Sequence, residues 1–196
     1  YLSSSEILPT DKYEKVFNKT KDLVNLINGI SKIVLRTKNN ITISKICKLK
    51  DNGKIVSFGG SVANITIRTQ TSFKTVKYNG TIEIHNPADQ LPNWIKLSNE
   101  NKIIDKIFKL ISNDSDSWYG LYKIYDLIKE KYDIKSFSSV SSAKLKKFKS
   151  TANNYNAIGM KARHALDYQP PKNPMNIREA KSLIFKLVSE LLEQFK

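Results

Sequence analysis

The sequence predicts an α+β fold, with an N-terminal helix and antiparallel β-sheet followed by a C-terminal bundle of four to five helices. Three observations predict it. Apolar residues recur at helical spacing near the start, β-branched residues in short runs fill 32–85, and helical periodicity returns from residue 98 onward. A boundary near residues 87–97, marked by Pro87 and Pro92, divides the chain into a helix-plus-sheet domain (1–90) and a helical bundle domain (98–196). With 196 residues, 40% of them hydrophobic, the chain is long enough for one large or two small packed cores.

The first helix follows Pro9, with Asp11 as its candidate cap. Tyr13, Val16, Phe17, Thr20, Val24 and Ile27 share one face, and Gly29 ends the pattern. Candidate strands then lie at 33–36, 41–47, 54–58, 62–69, 72–78 and 81–85. Asp51-Asn52-Gly53 and Asn79-Gly80 supply hairpin turns, because those residue types tolerate a positive φ. Trp94 is placed at the junction. In the second half, Ile103, Ile104, Ile107, Phe108 and Ile111 form one helical stripe, and Trp118, Leu121, Tyr122, Tyr125, Ile128 and Tyr132 an aromatic one. The residues 113–116 between them are rich in N-cap types. A Ser-rich loop at 136–142 leads to a helix carrying Leu145, Phe148 and Ala152. A short helix through Ile158 and Met160 to Ala165 comes next. The last helix is capped by Asn176 with Glu179 three residues on. Met175 and Ala180 stand at staple positions, and Leu183, Ile184, Leu187, Val188, Leu191 and Phe195 form a continuous apolar face.

Several chemistries lack their residues. Cys47 is the only cysteine, and the two histidines, His85 and His164, are 79 residues apart, so neither a disulfide nor a zinc cluster is expected. Phe58-Gly59-Gly60-Ser61 lacks the Lys-Ser/Thr of a phosphate-binding Walker loop and reads as a turn or bulge. No Gly-x-Ser-x-Gly elbow is present. No cofactor is expected. No apolar run reaches the roughly 18 residues of a membrane span, and Tyr1-Leu2-Ser3-Ser4-Ser5 lacks the apolar stretch of a signal peptide. A lone cysteine suits the cytoplasm, and a start without Met suggests a piece of a longer chain.

Charge is the informative property. Lys and Arg total 33 against 18 Asp and Glu, a net +15, which favours a polyanionic partner. Richness in Lys, Asn and Ile also matches AT-rich codon bias, the competing reading of the same surplus. The excess concentrates in residues 129–163, with nine Lys/Arg against two acids. Lys144, Lys146, Lys147 and Lys149, continued by Lys161 and Arg163, are the candidate nucleic-acid-binding residues, and Tyr155 a candidate stacking ring. Arg163 and His164 are the only candidate catalytic pair: His exchanges a proton near neutral pH and Arg holds a phosphate. The competing reading pairs Arg163 with Asp167 and leaves His164 near a helix end.

The segment from Trp118 through Leu121, Tyr122, Lys123, Ile124 and Tyr125, then Ala162-Arg163-His164-Ala165 and Pro170-Pro171-Lys172-Asn173-Pro174-Met175, resembles the C-terminal part of a group of uncharacterised bacterial proteins. The resemblance spans roughly residues 117–195 and implies a helical domain without assigned activity. An Arg and a His near one helix end are also similar to HEPN ribonucleases. That family spaces the two about one turn apart, whereas here they are adjacent. Three functional readings follow: a noncatalytic binding module for nucleic acid or an acidic partner, a metal-independent ribonuclease using Arg163 and His164, and a structural interaction module.

Overall fold

The computed structural model describes residues 12–49, 55–57, 73–76, 82–85, 87–165 and 169–195. It corrects the α+β expectation: the described residues are mostly helical, and the fold is a helical bundle. Its helices are α1 (Tyr13–Val34), α2 (Leu91–Glu100), α3 (Lys102–Asp114), α4 (Trp118–Lys131), α5 (Ser142–Ala152), α6 (Tyr155–Ile158) and α7 (Ile177–Glu193). Extended pairing among the described residues is confined to two separate antiparallel ladders. One joins β1 (Cys47–Leu49) to β2 (Ile55–Ser57), the other β3 (Phe73–Val76) to β4 (Ile82–His85). Ladders of three and four residue pairs are too short to bury a face of their own, so they make no sheet layer. The candidate strand at 62–69, both hairpin turns and the Phe58-Gly59-Gly60-Ser61 segment lie outside the described residues, as do Pro9 and Asp11.

The misreading has a physical cause. Ile33 and Val34 look like strand residues because they are β-branched, yet they form the last turn of α1. Ile33 is buried in the core, and packing overrides a propensity difference of well under about 1 kcal/mol. Gly29 does not end α1 either. It marks the crossing with α3, where a β-carbon at Gly29 would stand 2.0 Å from the Phe108 carbonyl oxygen. Pro92 likewise opens a helix: it occupies the first turn of α2, where its missing N–H costs no hydrogen bond.

One core runs through the bundle. Leu26, Ile30 and Ile33 of α1 join Trp94 of α2, Ile104 and Phe108 of α3, Leu121 and Ile128 of α4, Phe148 of α5 and Leu187 and Leu191 of α7. Local signals set the helix starts. The Asn101 side chain accepts from the Ile103 and Ile104 amides, and Ser117 accepts from Gly120 N at 2.9 Å. The Asn176–Glu179 capping box forms at α7, with Met175 and Ala180 both buried. Beyond α1 the chain is pinned by Asn28. Its buried amide donates to Ile41 O at 2.8 Å and accepts from Ile41 N at 2.7 Å, acting as one rung of a ladder. Buried Lys32 donates to Ile111 O and Ser112 O, capping the C-terminal carbonyls of α3 with a positive charge.

The loop before α5 is held by Glu190 of α7, whose carboxylate accepts from Ser138 N at 2.5 Å and Ser139 N at 2.8 Å. Burial alone would raise the Glu190 carboxyl, but the hydrogen bonds from Ser139 and Ser138 outweigh it and hold it below the usual glutamate range. Its folded-state value is therefore depressed, so its contribution is complete above the ordinary glutamate pKa and lost as pH falls through the folded one. Glu190→Gln is expected to cost about 1 kcal/mol at neutral pH, or roughly 2–4 °C in Tm. The gap between the two melting curves should narrow as pH falls below the ordinary glutamate range. A gap that did not narrow as the solution was made progressively more acidic would mean that the charge of Glu190 is not what fastens the loop.

Candidate functional site

The cationic residues singled out in the sequence are carried by α5 and the turns that follow it. Ser141 starts α5, its hydroxyl accepting from Lys144 N. Phe148 anchors it: the ring is fully buried, stacked on Trp118 at 6.1 Å and Tyr122 at 5.7 Å, with Tyr125 edge-on at 5.9 Å. Thr151, also fully buried, donates to Lys147 O and accepts from Met175 N, tying α5 to the entry of α7. The buried face thus consists of Phe148, Thr151 and Ala152, with Leu145 at its edge. Lys144 and Lys146 project into solvent, while Lys147 and Lys149 are half-buried, as expected where alkyl stems lie along the surface beneath a solvated ammonium.

Asn153, Asn154 and Arg163 take structural roles. Asn153 Nδ2 donates to Tyr122 OH at 3.2 Å. Asn154 caps α6, accepting from Ala157 N, and its Nδ2 reaches Gln169 O at 3.0 Å. Gly159, at φ 61°, turns the chain into a 3₁₀ turn over Gly159–Lys161, a backbone region that favours glycine. The expected helix through to Ala165 therefore stops short, and Arg163 and His164 sit on irregular chain. Arg163 N donates to Ala152 O at 2.8 Å. The guanidinium lies 4.4 Å from the Tyr122 ring centroid and 3.5 Å from Asp126 Oδ2, so Asp126 is its partner, while Asp167 lies outside the described residues. Tyr122 and Asp126 are one turn apart on α4, and together they cradle Arg163. His164 is exposed. Neither of two described clefts, one between α1 and α7 and one between α3 and α4, is lined by Arg163 or His164.

The charge along this segment of sequence is lopsided. From 134 to 166 the sequence contains seven Lys/Arg and no Asp or Glu. Of the described acids that precede the stretch, Asp126 pairs with Arg163, Glu130 with Lys131, and Asp133 caps the 3₁₀ turn Ile134–Ser136. Among the described residues, Lys144, Lys146, Lys147, Lys149 and Lys161 form no ion pair. The long acid-free stretch was the legible signal; the diversion of Arg163 to α4 was not. Tyr155 is half-exposed, and its hydroxyl lies 3.7 Å from the sulfur of the fully projecting Met160.

The aromatic stripe of α4 is core rather than a ligand platform, with Trp118, Tyr122 and Tyr125 all buried. Burial, followed by the proximity of Tyr122 and Asp126, pushes the Tyr125 phenol upward, so it stays protonated at neutral pH. Among the described residues, no three His, Cys, Asp or Glu side chains gather as a metal site, and no helix is long and apolar enough to cross a membrane. Comparison with protein-family models, curated proteins and solved structures finds no match.

Proposed function

We propose that the chain is a noncatalytic nucleic-acid-binding protein whose α5 face contacts the phosphate backbone through Lys144, Lys146, Lys147 and Lys149, extended by Lys161. The observation that carries this reading is the set of five lysines without ion pairs on an acid-free stretch of the molecule. Unpaired ammonium groups keep their counterions loosely, and releasing those counterions from a polyanion is the main driving force of nonspecific binding. Lysine rather than arginine dominates the face, which suits contact with phosphates more than the reading of base edges. Arg163 serves as a positioning residue that holds the 162–165 segment against α4.

The test is a fluorescence anisotropy titration with a labelled duplex oligonucleotide across a salt series. Five phosphate contacts predict a slope of log K against log salt of about −4.5. Replacing Lys144, Lys146, Lys147 and Lys149 together with Gln should make the slope shallower by about 3 to 4, with the far-ultraviolet circular dichroism unchanged. Unaltered affinity and slope in that variant would refute the proposal.

A further inference from the structure

A second feature lies on another part of the bundle. A cleft of about 950 Å³ opens between the end of α1, the outer face of α7 and the Ser138–Ser139 loop. Its lining holds six cationic side chains, Lys32, Arg36, Lys38, Arg178, Lys181 and Lys186, against three carboxylates. Each carboxylate is already occupied. Asp116 accepts from Lys181 Nζ at 2.5 Å, Glu190 is spent on Ser138 and Ser139, and Glu193 has a partner of its own. Lys32 and Lys181 are committed to α3 carbonyls and to Asp116. That leaves Arg36, Lys38, Arg178 and Lys186 without an ion pair among the described residues, facing one concavity.

Arg36, Lys38, Arg178 and Lys186 are exposed along the cleft, above buried Lys32, and an anion entering there would relieve the repulsion among these like charges. Lys32 registers this: burial first, and then the nearby Lys181, push its ammonium below the usual lysine range, with Asp116 only partly opposing them. Two of the four arginines of the chain line this one cleft, and their planar forks match phosphate oxygens in pairs. Arg36 also holds a left-handed backbone at φ 52°, in the turn that closes α1 through Leu35 N and Thr37 N, both donating to Ser31 O. Glycine or asparagine is the usual occupant of such a position, so an arginine there carries local strain.

We infer that this cleft binds a small organic polyphosphate, of the di- or triphosphate class, with Arg36 and Arg178 as its principal phosphate ligands. A single carboxylate would leave most of the four unpaired cations uncompensated, whereas linked phosphates bring three or four negative charges into one ligand. The volume is near the upper end of the usual range of about 300–1,000 Å³ for small-molecule sites, enough for more than bare phosphate. Half-buried Phe185 supplies an apolar wall, with Lys181 Nζ 5.4 Å from its ring centroid.

The experiment is isothermal titration calorimetry of the full chain with sodium tripolyphosphate and, separately, adenosine triphosphate, in parallel with the oligonucleotide assay above. Saturable binding of one ligand per chain is expected. Arg178→Gln and Arg36→Gly should each weaken it by at least about tenfold, and together by about a hundredfold. Because glycine accepts the left-handed backbone, Arg36→Gly should not lower Tm, which separates lost binding from lost fold. The variant lacking the four α5 lysines should bind tripolyphosphate as the parent does. Absence of heat at millimolar tripolyphosphate would overturn the inference, as would undiminished binding in both arginine variants. Loss of oligonucleotide binding in those variants without any tripolyphosphate binding would assign the cleft to a nucleic-acid backbone, and would overturn it too. Salt-independent oligonucleotide binding, by contrast, removes the α5 proposal and leaves the cleft untouched.

Discussion

Replacing Gly29 with alanine should lower the thermal midpoint by at least about 6 °C, the equivalent of about 3 kcal/mol for a chain of this size. Helix propensity predicts the opposite sign, since alanine in a helix interior is better than glycine by about 1 kcal/mol. Packing decides. The added β-carbon would meet the Phe108 carbonyl oxygen at 2.0 Å, the carbonyl carbon at 2.5 Å and the α-carbon at 2.8 Å. All three are backbone atoms, so no side-chain rotation relieves the clash, and α1 and α3 must separate. Separation would open the core around Ile30, Ile104 and Phe108, each completely buried, and draw Lys32 away from the carbonyls it caps. Gly159→Ala is the contrast. Its β-carbon would meet nothing within 4 Å, so only the backbone strain at φ 61° and ψ −141° remains, about 1–3 kcal/mol. Differential scanning fluorimetry on both variants decides the matter, and a Gly29→Ala protein as stable as its parent would contradict the close crossing of α1 and α3.

Gly29 also shows where sequence reasoning reaches its limit. A glycine at the end of an apolar pattern has two meanings, a helix stop or a close approach, and only the partner helix distinguishes them. The α7 capping box was legible because Asn176 and Glu179 lie within one turn and need no distant partner. The buried stripes of α3 and α4 were legible for the same local reason. The strand signal over 33–36 misled because β-branching describes a half-buried surface rather than a backbone, and the end of α1 supplies such a surface at Ile33 and Val34. At the candidate sites, the lysines of α5 could be read as a charge run, but the partner of Arg163 could not. Asp126 lies 37 positions upstream, on a different helix. The polyphosphate cleft was harder still, because Arg36 and Arg178 are 142 positions apart and neither belongs to a charge cluster.

Phe148→Ala should reduce stability by about 3–5 kcal/mol and weaken oligonucleotide binding although it removes no charge. The ring is wholly enclosed by Trp118, Tyr122 and Tyr125, so its loss leaves a cavity walled by three aromatic groups that cannot all collapse inward. α5 has little else to hold it. Leu145 is only half-buried, Ala152 is small, and Lys144, Lys146, Lys147 and Lys149 repel one another along the helix. Its other ties are hydrogen bonds: those of Thr151, the Arg163 N–Ala152 O bond, Asn153 to Tyr122 OH, and the Ser141 cap. Truncation at Phe148 should therefore release α5 in preference to the rest of the bundle, and its amides should exchange with solvent faster than those of α3 or α7. A loosened helix still carries four lysines, but no longer at fixed spacing, so binding should weaken less than in the four-lysine variant while the salt slope changes little. Phe148→Leu, which keeps most of the volume, should restore both stability and affinity in large part. Unchanged amide exchange across α5 in Phe148→Ala would show that the helix is held by something other than this ring, and the link between the aromatic cluster and the cationic face would fall with it.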